Sequence, residues 1–149
     1  MKRLLQVALM VTMFVTSAFA NNTDKVNQKL NQSLTRDFAN AKDVKWEQSK
    51  EFSKATFTLN GQVLFAFYNA EGELMATTRN IVSGQLPINL QTELKKEYGT
   101  MWITDLFEMA ANNVTTYYVT LECADYTIVL KSDDASSWSV YKKDKKFAE

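Results

Sequence analysis

No histidine occurs anywhere in the 149 residues, and Cys123 is the only cysteine. Without imidazole, neither a Ser-His-Asp nor a Cys-His nucleophile pair can be built. Zinc centres made from His and Cys clusters are excluded on the same count. One thiol cannot close an internal disulfide, so packing has to supply the stability. Cys123 continues the alternating stretch Tyr117, Val119, Leu121 and reads as a core thiol in preference to a redox centre or a covalent dimer. Excess charge is missing too: 17 basic residues stand against 17 acidic ones. The only local bias is Lys142, Lys143, Lys145 and Lys146, interrupted by Asp144, which reads as a solvated end. Nothing there steers the chain to nucleic acid. Glu71 and Glu73, and the pair Asp133-Asp134, sit in turns and not across a cleft, so acid–base catalysis is not expected of them. Neither turn has the ligand count of a calcium loop. No cofactor motif is present, and an enzyme is not expected.

What is present begins with a leader. Lys2 and Arg3 precede an apolar run from Leu4 to Phe14, and Ala18-Phe19-Ala20 fits the small-x-small rule of a signal peptidase site. Residues 1–20 are therefore expected to be a signal peptide cleaved after Ala20, giving a periplasmic or secreted protein. The apolar run falls short of the roughly 20 residues that cross a bilayer. No membrane span is expected in the mature chain.

Thr23 and Asp24 can cap a helix in which Val26, Leu30, Leu34 and Phe38 form one apolar stripe. Val44 and Trp46 open a strand. Alternation from Phe52 to Leu59 meets Asn60-Gly61, a strong type I′ hairpin signal, and Gln62 to Asn69 returns as a strand. The turn "NAEG" leads into a fourth strand, Glu73 to Ile81. Pro87, the only proline, suits the start of a second helix with Leu90, Leu94 and Tyr98 as its stripe and Gly99 at its end. Four more strands follow: Trp102 to Ala110, Val114 to Cys123, Tyr126 to Lys131 and Trp138 to Tyr141. A shift of about sixty residues lays Phe57, Leu59 and Phe67 on Val119, Leu121 and Val129. The expected fold is α+β, a tandem repeat of helix plus four-stranded antiparallel sheet, with repeats at 21–82 and 83–149 sharing one compact unit.

"A-x-x-V-x-W-E" at Ala41, Val44, Trp46 and Glu47, "A-T-F-x-x-N-G" at Ala55 to Gly61, "Y-N-A-E-G" at Tyr68 to Gly72, and Leu86-Pro87 before the second helix occur in order at fitting distances. In these segments the chain resembles the PepSY-like, beta-lactamase-inhibitor-like exported proteins of the Bacteroidetes. The resemblance implies tandem helix-plus-sheet units and an envelope or extracellular address. It brings no catalytic residues. Asp133-Asp134-Ala135 departs from it, standing where a turn glycine is expected.

If a helix covers one face of each sheet, the other face is left for solvent or a partner. Opposite Ala55, Phe57 and Leu59 lie Lys54, Thr56 and Thr58. Opposite Tyr117, Val119 and Leu121 lie Thr116, Tyr118, Thr120 and Glu122, and Tyr68 and Arg79 are expected to join that face. Trp, Tyr and Arg supply most interface energy, so Trp46, Tyr68, Arg79, Tyr118 and Trp138 are the candidate partner-binding residues. The plainer reading is ordinary cross-strand pairing. Trp46, Trp102 and Trp138 either close the edges of the core or anchor a partner. The expected activity is that of an exported non-enzymatic binding module, holding or inhibiting an envelope or extracellular protein. The alternative is a small-ligand carrier or sensor, which needs a concave apolar pocket.

Overall fold

The structure is a computed structural model and describes residues 28–146. The leader with its cleavage point, the Thr23–Asp24 cap and Val26 lie outside the described residues. In chain order the elements are α1 (Gln28–Asp37), β1 (Lys42–Gln48), β2 (Ser53–Leu59), β3 (Gln62–Tyr68), β4 (Leu74–Asn80), a 3-10 turn (Ser83–Gln85), α2 (Ile88–Tyr98), β5 (Trp102–Ala111), β6 (Val114–Glu122), β7 (Tyr126–Ser132) and β8 (Ser139–Lys145). The chain divides into two compact units between Thr77 and Thr78, within β4.

In the first unit, Leu30 and Leu34 of α1 are buried on Ala55, Phe57, Ala66 and Tyr68. The β2–β3 register explains that surface: Ser53 faces Tyr68, Ala55 faces Ala66 and Phe57 faces Leu64. Two alanines side by side leave room for the helix leucines, and Phe38 closes the end with its ring 4.9 Å from that of Phe57. The β2–β3 hairpin turns on Asn60 (φ 51°) and Gly61 (φ 78°), the two left-handed positions a type I′ turn requires. At the next turn Gly72 has φ 74°, and a Cβ there would lie 3.0 Å from Ser33 Oγ. Ser33 uses that approach to donate 2.7 Å to the Gly72 carbonyl, tying α1 to the β3–β4 turn.

In the second unit, Pro87 precedes α2, and its carbonyl accepts from the Gln91 N–H at 3.1 Å. Leu90 and Leu94 pack with Ile81, Leu86, Leu106, Val119, Leu121, Ile128, Leu130 and Trp138. The register again selects the face: Leu106, Val119 and Leu130 share one row, Leu121 and Ile128 the next. The β5–β6 hairpin turns on Asn112 (φ 52°) and Asn113 (φ 62°), a second left-handed pair.

The expected tandem of helix plus four-stranded sheet is not the architecture. All eight strands belong to one sheet in the order β1-β2-β3-β4-β5-β6-β7-β8. The physical reason lies at β4. Four strands alone would leave its outer edge as a row of unpaired N–H and C=O groups. Instead the Ile81 N–H donates 3.0 Å to the Leu106 carbonyl, and Arg79 Nε donates 2.6 Å to Glu108 Oε1. The two contacts run in opposite sequence directions, as antiparallel strands demand.

Candidate functional site

The face of β1–β3 turned away from α1 is largely closed by its own side chains. Lys54 is only 9% exposed. Its ammonium lies 2.8 Å from Glu47 Oε2 and 5.6 Å from the centre of the Phe65 ring. Beside it the Phe52 ring meets Phe67 edge-on at 5.5 Å.

The face of β5–β8 turned away from α2 is graded. Its closed end holds Tyr118, 1% exposed, stacked on Phe107 with centroids 5.1 Å apart and met edge-on by Tyr141 at 5.7 Å. Thr116 donates 3.0 Å to Asp133 Oδ1, which shares its carboxylate with Lys131. Its open end begins at the head of β5. Trp102 pairs with Glu122, and Asp105 with Thr120. Strict alternation would send Trp102 and Asp105, three residues apart, to opposite faces. The register shifts between Ile103 and Asp105. That bulge returns Asp105 to the Trp102 face, the kind of re-aiming that β-bulges perform. Trp102 is 77% exposed. The Lys146 ammonium pairs with Glu122. Asp105 is exposed and makes no ion pair among the described residues, and partial desolvation by its neighbours raises its carboxyl pKa.

The five residues singled out from the sequence do not assemble into one surface. Tyr68 lies on the α1 face, not the open one, because it faces Ser53 in the register. It is fully buried with its ring 5.8 Å from Trp46. Its hydroxyl has no hydrogen-bond partner. Burial first, and the neighbouring Asp37 carboxylate second, raise its pKa far above the normal tyrosine value. Trp46 is half-buried, donating 3.0 Å to Asn31 Oδ1 of α1. Arg79 is committed to Glu108. Trp138 is a core residue whose indole N–H donates 3.0 Å to the Leu90 carbonyl of α2. Tyr118 does lie opposite Val119 and Leu121, as expected, yet it is buried there. Burial also raises its pKa, with Tyr141 and Asp133 adding to the effect. A docked partner would not meet the side chains of Tyr68, Tyr118 or Trp138. The exposed combination, Trp102 with Asp105, was half legible: the indole stands out in the sequence, and the bulge that adds the carboxylate carries no sequence signal.

A groove of about 310 Å³ opens between α2 and the head of β5, lined by Leu94, Lys95, Tyr98, Met101, Ile103 and Leu121 among others. Among the described residues no group of three or more Cys, Asp or Glu is placed to hold a metal ion. Among them, too, no helix is long and apolar enough to cross a membrane.

No family model matches the chain, and no curated protein does. Solved structures do. A BLIP-like protein of Bacteroides fragilis is 18% identical with a TM-score of 0.71, over 85% of this chain and 92% of that one. A DUF2874 family protein of Bacteroides ovatus is 13% identical with a TM-score of 0.71, over 82% of this chain and 89% of that one. A protein of Bacteroides eggerthii, described as a candidate periplasmic protein, is 10% identical with a TM-score of 0.71, over 81% of this chain and 89% of that one. The inhibitor-like half of the resemblance read from the sequence agrees with these neighbours, and none of the three is described as PepSY-like. At such identities the likeness establishes shared architecture: the chain has the fold of BLIP-like and DUF2874 proteins of Bacteroides.

Proposed function

We propose that the chain is an exported, non-enzymatic binding module that holds another protein on the face of β5–β8 turned away from α2. The observation that carries this reading is Trp102, 77% exposed on that face. An indole is too large an apolar body to leave in water without consequence, and Trp leads the residues that dominate interface energy. Around it Thr120 and Val129 are half-buried, and Phe107 continues the apolar ground toward Tyr118. Export rests on the leader, and the candidate periplasmic description of one structural neighbour favours the same compartment. The BLIP-like description of another supports a protein-holding role. A photo-crosslinking residue placed at Thr120 or Val129 should trap a discrete envelope protein in cells, while one at Thr92 on the exposed side of α2 should not. Crosslinks from α2 alone would defeat the proposal.

A small-ligand carrier is the second reading, favoured by the groove beside α2. Its volume of about 310 Å³ sits at the small end of ligand pockets. A ligand copurifying with the mature chain and lost on Ile103→Lys would support that reading in place of the first.

A further inference from the structure

Resting on that reading of the β5–β8 face, we propose that it recognises an arginine of its partner, laid flat on the Trp102 indole and paired with the Asp105 carboxylate. Three observations converge. Trp102 presents its ring to solvent at the end of the face, with Glu122 opposite it and Asp105 one row further on. Glu122 already has a cation, the Lys146 ammonium. Asp105, itself exposed to solvent, has none among the described residues.

A carboxylate in that position is stabilised by any cation that reaches it, and an aromatic face attracts the same cation through its quadrupole. The two preferences are jointly met by a guanidinium. It is planar, stacks on indole, and offers paired N–H donors to a carboxylate. A lysine ammonium satisfies the charge but not the stacking. An apolar side chain satisfies the indole and leaves Asp105 without a counter-ion. The bulge between Ile103 and Asp105 is what makes the site: without it Asp105 would leave this face.

The test uses the mature chain with ¹⁵N-labelled indoles and three probes: N-acetyl-arginine amide, N-acetyl-lysine amide and N-acetyl-citrulline amide. The Trp102 indole signal should shift saturably with the arginine probe. The lysine probe should bind less well, and the uncharged citrulline probe about fivefold less well. Asp105→Asn should weaken arginine binding about fivefold and leave citrulline binding unchanged. Trp102→Ala removes that reporter, so its binding is read by calorimetry and should be lost for both probes, while the Trp46 and Trp138 signals keep their positions and certify the fold. Lowering the pH to protonate Asp105 should weaken arginine binding in the parent and not in Asp105→Asn. Equal binding of arginine and citrulline, indifference to Asp105→Asn, or no saturable shift at Trp102 would each overturn the proposal. A crosslinked partner that docks on this face through a residue other than arginine would defeat only this inference. An arginine-binding Trp102 on a face that crosslinks to no protein would defeat only the broader reading.

Discussion

Replacing Tyr68 by Phe should stabilise the protein. The Tyr68 side chain is fully buried between α1 and β1–β3, and its hydroxyl has no hydrogen-bond partner. The carboxylate that acts on that hydroxyl, Asp37, is forked by the Arg36 guanidinium at 2.7 and 3.0 Å. A buried hydroxyl left without a partner costs about 1–3 kcal/mol. Phe keeps the ring, and with it the packing on Trp46, Leu30 and Leu34. The expected gain is therefore about 1 kcal/mol, or a rise of roughly 4 °C in Tm for a domain of this size. The hydroxyl also predicts a pH dependence. Its folded pKa is raised above the unfolded value near 10. The stability it contributes is complete below about pH 10 and is lost as the pH climbs from there toward the folded pKa, because the unfolded chain ionises first. The advantage of Tyr68→Phe should accordingly widen above about pH 10. Urea unfolding at pH 7 and pH 10.5, followed by tryptophan fluorescence, measures both effects. A loss of more than about 1 kcal/mol at pH 7 would refute the reasoning and identify Asp37 as an acceptor. Asp37→Asn would then reproduce that loss.

Four further outcomes follow from the geometry. Gly72→Ala should cost about 1–3 kcal/mol in thermal unfolding, since φ is 74° and the new methyl would lie 3.0 Å from Ser33 Oγ; an unchanged Tm would mean the turn relaxes freely. Ala135→Gly should gain about 1 kcal/mol, because Ala135 is held at φ 60° in the β7–β8 loop; a loss on urea titration would show that its methyl has a packing role. Trp138→Phe should lose about 1 kcal/mol by removing the indole bond to the Leu90 carbonyl, read as a lower urea midpoint with an unchanged slope. Asp105→Asn should raise stability at pH 7 and have no effect near pH 3, because the folded pKa of Asp105 is raised and the penalty of charging it develops only as the pH rises past the unfolded value near 3.9. A destabilised Asp105→Asn at pH 7 would mean that the carboxylate has a cationic partner.

Local features were the legible ones. Asn60-Gly61 announced a hairpin because those residues enter the left-handed region at small cost, and both have positive φ. The stripes Leu30/Leu34 and Leu90/Leu94 announced helices, and these side chains are buried. Ala135, with φ 60°, stands where the sequence lacked its turn glycine. Strand partnership was not legible in the same way. Alternation says which residues share a face and nothing about which strand lies beside which, so two four-stranded layers and one eight-stranded sheet have the same pattern. Tyr68 was misplaced for a related reason. The run from Val63 to Tyr68 is apolar on both faces, so only its pairing with β2, Ser53 to Tyr68, decides where the phenol points.

The candidate site was obscured by the same rule of alternation, broken once. Counting by twos along β5 puts Trp102 with Thr104 and leaves Asp105 beside Ile103. The bulge re-sorts them, so an indole and a carboxylate share a surface that the sequence pattern separates. Neither side chain is explained by the fold. The core of the second unit closes without Trp102, and Asp105, exposed on the same face, makes no ion pair among the described residues. A solvent-facing indole and a carboxylate without a counter-ion among the described residues are the features expected of a recognition surface. They also explain why a variant that strengthens the fold at Asp105 should weaken binding of the arginine probe.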